Sequence, residues 1–279
     1  MANTQRRRFH PYGHKLEGPD FSNAFRVRQL LNNSFLTQLK PAVATDGMVV
    51  HWAVLSNHSA TDGMTIGLGG ELPTDKWKIG TWDNSAGTFT EDTDKANVPL
   101  EVTGQNNDGH IILSTEPFSA LRYICGTQTV DSGGDYVREF QYYNGAWATL
   151  STLAETTAAP GWEATHELLF EPPADWTTIN TDPISSLPSG DWYAVRFRAT
   201  TEPSTAAIAT SVKVLDPLRC RVSHASDTDD VLLVNSERGI PVCDANEALW
   251  ACVNVASTGH FASIYGEYAS DSGTLGSAT

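Results

Sequence analysis

Short apolar or alternating runs, separated by turn residues, dominate the chain from Met48 onward. Examples are HIILS (110–114), LRYICGT (121–127) and WYAVRFRATT (192–201). Turn-forming pairs such as Asn144-Gly145 and Ser189-Gly190 separate such runs, at intervals of about eight to twelve positions, a spacing typical of β-sandwiches and jelly rolls. No long helical periodicity interrupts them. The pattern therefore predicts an all-β fold with a β-sandwich or jelly-roll-like body.

The run WYAVRFRATT shows the alternation most clearly. Tyr193, Val195 and Phe197 fall on one face, and the residues between them, including Arg196 and Arg198, fall on the other. A period of two predicts a strand with one face in the core. Each buried aromatic or branched side chain contributes roughly 1.5–3 kcal/mol, so a few such strands form a stable sheet.

Two segments between strands stand out. The stretch EFQYYNGAWATL (139–150) predicts a hairpin, in which two strands with aromatic residues meet at an Asn-Gly turn. Residues 172–191 form a long loop rich in proline. Loops of this length in compact domains are usually functional or bound by a partner, so we expect such a role here.

The first 45 residues differ in pattern from the rest. Residues 1–20 contain prolines and glycines without apolar periodicity, which predicts an extended arm. Apolar residues at roughly helical spacing follow, and they indicate either one or two short helical turns or an arm lying along a partner. We therefore expect an extended basic N-terminal arm over 1–45, a β-sandwich body over 46–215 and a C-terminal β extension and tail over 216–279.

Charge separates the arm from the body. Residues 1–40 hold seven basic and two acidic residues, a net charge of +5, whereas the remainder of the chain carries −20, which gives a total of −15. A short basic arm is typically a docking segment, although a solvated tail is the alternative. We expect no nucleic-acid partner, because the acidic body opposes one and no recognition motif follows the arm.

Motifs for known catalytic chemistry are missing from the sequence. There is no GxSxG elbow, no HExxH and no phosphate-binding GxxxxGK[ST] loop. The acidic clusters at 90–95 and 226–230 lack the spacing of a calcium loop, which favours solvated turns. We therefore expect a non-enzyme without catalytic residues, metal or cofactor, although a carboxylate pair assembled by the fold stays open.

The cysteines and the apolar runs bear on location. The four cysteines form no CxxC pair and are predicted to be mainly buried or unbridged thiols, with a Cys220–Cys243 or Cys243–Cys252 bridge as the alternatives. No apolar run is long enough to span a membrane, and no secretory signal is evident at the start. Synthesis in the cytoplasm without a membrane partner is the expectation.

Tryptophans near turns form the remaining candidate for a site. Exposed Trp147 and Trp176 would make a ligand platform for sugars. The alternative, which we favour, is that these rings close the ends of the sandwich, because a tryptophan buries a large area and its N–H needs only one partner.

Three segments in order resemble a known kind of module. They are DYVREFQYYNGAWATL (135–150), HELLFEPPADWTTI (166–179) and GDWYAVRFRAT (190–200), which carry a YYNG..W hairpin, a P.DW loop and a WY..R strand. This order resembles β-sandwich modules of tailed-bacteriophage virion structural proteins, over roughly a quarter of the chain. The resemblance brings no catalytic residues, and the C-terminal 60 residues depart from it.

The resemblance implies a virion structural protein, made in the host cytoplasm. We expect a capsid decoration or cement protein that stabilises the shell through its N-terminal arm. A tail, neck or baseplate component, or a carbohydrate-binding receptor-recognition module, is the alternative. The expected partners are the major capsid protein or other virion proteins, with copies of the chain forming a homo-oligomer in the particle. The candidate partner-binding residues are Arg6, Arg7, Arg8, Phe21, Phe25, Arg26, Arg28, Leu31 and Phe35.

Overall fold

The computed structural model describes residues 24–31, 35–40, 46–56, 63–102, 107–128, 138–156, 162, 164–180, 184–201, 203–225, 242–243, 247–253 and 260–270. Its regular elements in these ranges are twenty β-strands, numbered β1 to β20 along the chain and arranged in four sheets whose ladders are antiparallel. The predicted all-β class is confirmed. No helix in the described ranges is long and apolar enough to cross a membrane.

Two of the four sheets are built from the middle of the chain. The seven-stranded sheet has the order β11-β10-β15-β8-β5-β6, with β14 paired to β15. The five-stranded sheet has the order β12-β13-β9-β16-β7. Their strands are β5 (Trp77–Asp83), β6 (Thr88–Glu91), β7 (Val98–Pro99), β8 (Gly109–Ser114), β9 (Ala120–Thr127), β10 (Arg138–Tyr143), β11 (Trp147–Thr149), β12 (Thr152–Glu155), β13 (Thr165–Phe170), β14 (Thr178–Ile179), β15 (Trp192–Ala199) and β16 (Ile208–Leu215).

The other two sheets combine both ends of the chain. The β19 sheet has the order β17-β4-β19-β2, and the β20 sheet has the order β1-β20-β3-β18. Their strands are β1 (Ala24–Leu31), β2 (Leu36–Lys40), β3 (Asp46–Ser56), β4 (Met64–Gly69), β17 (Cys220–Ala225), β18 (Val242–Cys243), β19 (Ala248–Val253) and β20 (His260–Ser270).

The four sheets stack as layers, and apolar clusters lie between them. The largest cluster joins the seven-stranded and five-stranded sheets, which together form the large sandwich. A second cluster joins the β19 and β20 sheets, which form the small sandwich. A third lies between the five-stranded sheet and the β19 sheet, so the two sandwiches pack face to face. Strand β19, ALWACV, is buried along its whole length because both of its faces meet another layer.

Strand β15 confirms the alternation predicted for WYAVRFRATT. Tyr193, Val195 and Phe197 join the core of the large sandwich, whereas Trp192 and Ala194 join a fourth cluster on the outer face of the seven-stranded sheet. The predicted hairpin is also present, with Tyr143 paired to Trp147 across the turn. Turn residue Gly145 has a φ of 100°, a left-handed conformation that favours glycine.

The long proline-rich loop has a structural use. In its described part, Ile179 and Ile184 are at most 1% exposed and pack on the outer face of the seven-stranded sheet. Ser185 bonds Gly87 and Phe89 through the backbone, which fixes the loop beside β6. The expectation of a functional or partner-bound loop is therefore modified, because this part of the loop covers the protein's own sheet.

The structure corrects the expected division of the chain. Residues 24–31 and 36–40, predicted as part of an extended arm, are strands paired with β20 and β19. The described C-terminal strands likewise complete these sheets and do not form a separate extension. Leu31, Leu36 and Leu39 are buried in the resulting cores, which explains the apolar spacing of this segment as core positions on strands.

Close packing at the junction of the sandwiches depends on glycine. A Cβ atom on Gly67 would lie 2.0 Å from the carbonyl oxygen of Pro217, and one on Gly69 would lie 1.7 Å from that of Asp216. The chain leaving β16 therefore crosses β4 at a distance that only glycine permits. Nearby, Cys252 is a buried thiol outside any disulfide, as is Cys125, so the alternative Cys243–Cys252 bridge is not formed.

Candidate functional site

The structure places the nine candidate partner-binding residues in different settings. Arg6, Arg7, Arg8 and Phe21 lie outside the described residues. Phe25 and Arg26 lie on β1, paired through the backbone with Gly266 and Tyr265. Leu31 is 1% exposed in the core of the small sandwich, and Phe35 packs against two core clusters. Leu31 is thus unavailable to a partner in this conformation. The remaining residue, Arg28, is exposed.

Arg28 lies on the outer face of the β20 sheet, at the end of the layer stack. Its neighbour Val27 packs inward, which directs Arg28 outward. The Arg28 guanidinium lies 5.6 Å from the ring centroid of Phe261, which is half-buried on the adjacent strand. Tyr265, two pleats further along β20, is also half-buried. This face therefore combines a basic group with partly exposed aromatic rings, and β1 is its edge strand.

The two tryptophans predicted as a ligand platform lie on opposite faces of the seven-stranded sheet. Trp176 is 8% exposed in the core of the large sandwich, with its ring centroid 5.2 Å from that of Phe118. Trp147 is half-buried on the outer face, 4.4 Å from the Arg196 guanidinium. They cannot form one platform, and Trp176 has the core role that we favoured for it.

Arg196 is the main polar group beneath the outer aromatic cluster. Its Nε donates to Oε1 of Gln141 at 2.6 Å, and its guanidinium also lies 5.8 Å from the ring centroid of Trp82. Burial lowers the pKa of Arg196 to about 10, so the group stays charged at neutral pH. The arrangement stabilises the buried cation by hydrogen bonding and by two aromatic rings.

The hairpin and the loop after β13 enclose a shallow groove of about 360 Å³. At one wall of this groove, Tyr142 Oη donates to Oδ1 of Asp175 at 2.9 Å, and Asn144 Nδ2 donates to Oδ2 at 2.8 Å. Hydrogen bonds from Asn144 and Tyr142 lower the pKa of Asp175. The carboxylate is therefore ionised and held in one orientation at the surface. The sequence showed these residues as motif positions but did not show that they meet.

A second polar cluster lies inside the large sandwich. His110 Nδ1 is 3.0 Å from the carbonyl oxygen of Leu100, and its Nε2 is 2.9 Å from Tyr123 Oη. Burial lowers the pKa of His110 to about 4, so the ring is neutral at pH 7. A carbonyl oxygen only accepts, which places the ring proton on Nδ1 and makes Tyr123 the donor to Nε2.

Trp162 and Glu101 continue this buried network. Trp162 Nε1 donates to Oε1 of Glu101 at 2.7 Å, and the backbone N–H of Ala207 donates to Oε2 at 3.1 Å. Trp162 and Glu101 are 2% and 1% exposed. A substrate cannot reach these groups in this conformation, so their evident role is to hold the two sheets in register.

An ion pair on the five-stranded sheet links the two sandwiches through its hydrogen bonds to the backbone at the start of β2. Arg122 on β9 donates to Glu167 on β13, with an Nη2–Oε1 distance of 2.7 Å, and its Nη2 also donates to the carbonyl oxygen of Leu36. Glu167 in turn accepts from the backbone N–H groups of Phe35 and Leu36 at 3.0 and 3.2 Å. One charged pair on the five-stranded sheet thus fixes the start of β2.

Metal binding has no visible basis in the described part of the chain, where no group of three or more His, Cys, Asp or Glu side chains is close enough to hold an ion. The acidic cluster at 226–230 lies outside the described residues. In the 90–95 cluster, Asp92 and Asp94 accept hydrogen bonds from the backbone N–H groups of Lys95 and Ala96. Those two carboxylates shape a turn, as predicted.

Comparison with known proteins gave no match: no family model, no curated protein and no solved structure is similar to this chain. The protein can therefore be classified by its fold alone. The described residues form an all-β protein of two packed sandwiches in four layers.

Proposed function

We propose that the protein is a non-enzymatic structural protein of a tailed-bacteriophage virion and acts as a capsid decoration protein. The observation that carries this proposal is the meeting of the three motif segments. The YYNG..W hairpin contacts the P.DW loop through Asn144 and Asp175, at 2.8 Å. It contacts the WY..R strand through Trp147 and Arg196, at 4.4 Å. The resemblance treats these segments as one module, and their contacts support that treatment.

The mechanism is adhesion to a capsid lattice. The end layer of the stack carries Arg28 and the aromatic side chains of Phe261 and Tyr265. The basic leader, with Arg6, Arg7 and Arg8, precedes edge strand β1 of this same layer. Residues 1–40 carry a net charge of +5 and residues 41–279 carry −20, so charge is unevenly divided along the chain. In this proposal the basic leader and Arg28 dock on an acidic surface of the capsid protein, while the acidic remainder of the chain faces solvent.

Neighbouring copies on the lattice fit the same scheme. Each docked copy presents its acidic remainder to the next copy, and like charges keep free copies apart in solution. Assembly is then directed to the shell, where the lattice spaces the copies. The partners in this proposal are the major capsid protein and, through the shell, other copies of this chain.

The decisive experiment deletes residues 1–20 and measures co-sedimentation with shells that lack the protein. We expect the truncated protein to stay folded and to lose binding. A deletion of residues 1–40 is unsuitable, because it removes β1 and β2 together with buried Leu31, Leu36 and Leu39. Undiminished co-sedimentation of the shorter truncation would overturn the docking mechanism.

A charge reversal on the described face complements the deletion. Arg28→Glu reverses an exposed charge on the β20 sheet, and Lys76→Glu reverses an exposed charge before β5 on the large sandwich. We expect several-fold weaker shell binding for the first and unchanged binding for the second. Binding of the intact protein to isolated tails but not to shells would replace the decoration role with a tail, neck or baseplate role.

A further inference from the structure

The groove beside the hairpin has the chemical features of a small ligand site. One wall is formed by the hairpin and β12, with Tyr142, Thr149 and Leu153, and the other by the loop after β13, with Glu171 and Asp175. Its volume of about 360 Å³ is at the low end of the range for small-molecule pockets. It opens at the surface, so a ligand attached to a larger molecule can enter.

Asp175 is prepared to accept hydrogen bonds from a ligand. Each of its carboxylate oxygens accepts one bond from the hairpin, from Tyr142 Oη and Asn144 Nδ2, and a carboxylate oxygen has room for a second. The hairpin turn is fixed by the backbone bond from Asn144 to Ala146, and the Tyr142 ring packs against Trp176. The carboxylate therefore keeps its orientation without a ligand, which reduces the entropy lost on binding.

The same groove exposes apolar surface. Leu153 is 41% exposed, one of only two large apolar side chains with such exposure among the described residues. Pro173 lines the groove as well, together with three residues that carry hydroxyl groups, Thr149, Ser151 and Thr152. An apolar patch with a fixed hydrogen-bond acceptor and a rim of hydroxyl groups is complementary to a sugar ring, which has an apolar C–H face and a polar edge.

We propose that this groove binds an uncharged pyranose unit of a glycan. The C–H face of the ring packs on Leu153 and Pro173, and two adjacent sugar hydroxyl groups donate to Asp175. The carboxylates of Asp175 and Glu171 repel sialic and uronic acids, so the site selects neutral sugars. Surface adhesion to glycans would be an activity additional to shell docking, on the large sandwich and away from the β20 sheet.

The test uses saturation-transfer NMR of the intact protein with millimolar methyl glycosides of glucose, galactose, mannose and N-acetylglucosamine, and with sialic acid. We expect transfer to at least one neutral sugar and none to sialic acid. Asp175→Asn should weaken that binding at least tenfold, because it removes the negative charge and replaces one of the two acceptor oxygens with an NH2 donor. Asp191→Asn is the matched control, since Asp191 is an exposed acid outside the groove, and it should bind normally.

A second variant tests the apolar contact. Leu153→Ser removes an exposed side chain, so the fold should be retained while sugar binding falls. The proposal is overturned if no neutral sugar binds, if sialic acid binds better, or if Asp175→Asn and Leu153→Ser bind as well as the parent protein. Because these measurements use the protein without shells, their failure leaves the decoration proposal standing, and failure of shell docking leaves this one standing.

Discussion

The two sandwiches are built from the same element in different ways. In the large sandwich, every strand lies between residues 77 and 215, and the core is rich in aromatic rings around a buried polar network. In the small sandwich, strands from the two ends of the chain pair with each other, and the fully buried members of the core are aliphatic side chains and Met64.

This difference implies an order of dependence. Pairing β1 with β20 closes a loop that contains the whole large sandwich. Loop closure costs conformational entropy, and prior folding of the large sandwich removes most of that cost by holding the ends of the segment in place. We therefore expect the small sandwich to depend on the large one, and the large sandwich to persist when the small one opens.

The largest expected effect comes from the aromatic core. Trp162→Ala removes a ring that lies 4.9 Å from Tyr123 and 5.0 Å from Phe197, and it also removes the donor to Glu101. We expect the free energy of unfolding to fall by about 3–5 kcal/mol, with faster amide exchange in both sandwiches. If that variant does not fold, Trp162→Phe, which keeps an aromatic ring, provides the measurement.

The matched change in the small sandwich is Ile264→Ala, at a position 0% exposed on β20. It should lower stability by about 2–4 kcal/mol. Hydrogen exchange followed strand by strand should show faster exchange in β1, β3 and β20 but not in β8, β9 and β15. Equal acceleration in all six strands would show one cooperative unit and would contradict the proposed dependence.

A smaller effect is expected at the joint between the sandwiches. Glu167→Gln removes the charge that faces Arg122 but keeps one oxygen as an acceptor for Phe35 and Leu36. We expect the free energy of unfolding, measured by chemical denaturation, to fall by about 2 kcal/mol. We also expect β2 to unfold at a lower denaturant concentration than β9. The half-exposed pair of Lys78 and Glu91 is the control, and Glu91→Gln there should cost less than about 1 kcal/mol.

The sequence predicted local features better than long-range ones. Alternation in WYAVRFRATT placed Phe197 in the core and Arg196 on the opposite face, because a period of two is a property of one strand. The Asn144-Gly145 turn was equally local. By contrast, the partner of β1 lies at the far end of the chain, and nothing in residues 24–31 specifies it. The basic charges nearby favoured an arm over a strand.

Prediction of the candidate site from the sequence was limited in the same way, because its residues are brought together by long-range contacts. Trp147 and Trp176 were grouped because both lie near turns, but their faces depend on two different elements, β11 and the loop after β13. Asp175 gains its orientation from Tyr142 and Asn144, more than thirty positions away. Such convergence depends on the register of β10 against β15 and on the path of the loop, which sequence periodicity does not encode.

The smallest expected effect is a difference in pH dependence between the sandwiches. Burial lowers the pKa of His110 to about 4 in the folded protein, whereas the unfolded value is about 6.5. The unfolded chain therefore binds more protons between these values, so the stabilisation is complete above pH 6.5 and is lost as the pH falls towards 4. Linkage gives a loss of about 1.4 kcal/mol between pH 7.5 and pH 5.5.

Chemical denaturation of the protein at several pH values across this range, followed by tryptophan fluorescence, measures the slope. His110→Phe should be less stable at every pH, because Tyr123 and Leu100 lose a partner, but its profile should lack the His110 component of the slope. Amide exchange in β3 and β20 should become faster at low pH only to the extent that the large sandwich loses stability, because the small sandwich depends on it. If the slope of stability against pH is unchanged in His110→Phe, other groups cause the acid sensitivity. The view that the aromatic core carries the distinctive pH response would then be wrong.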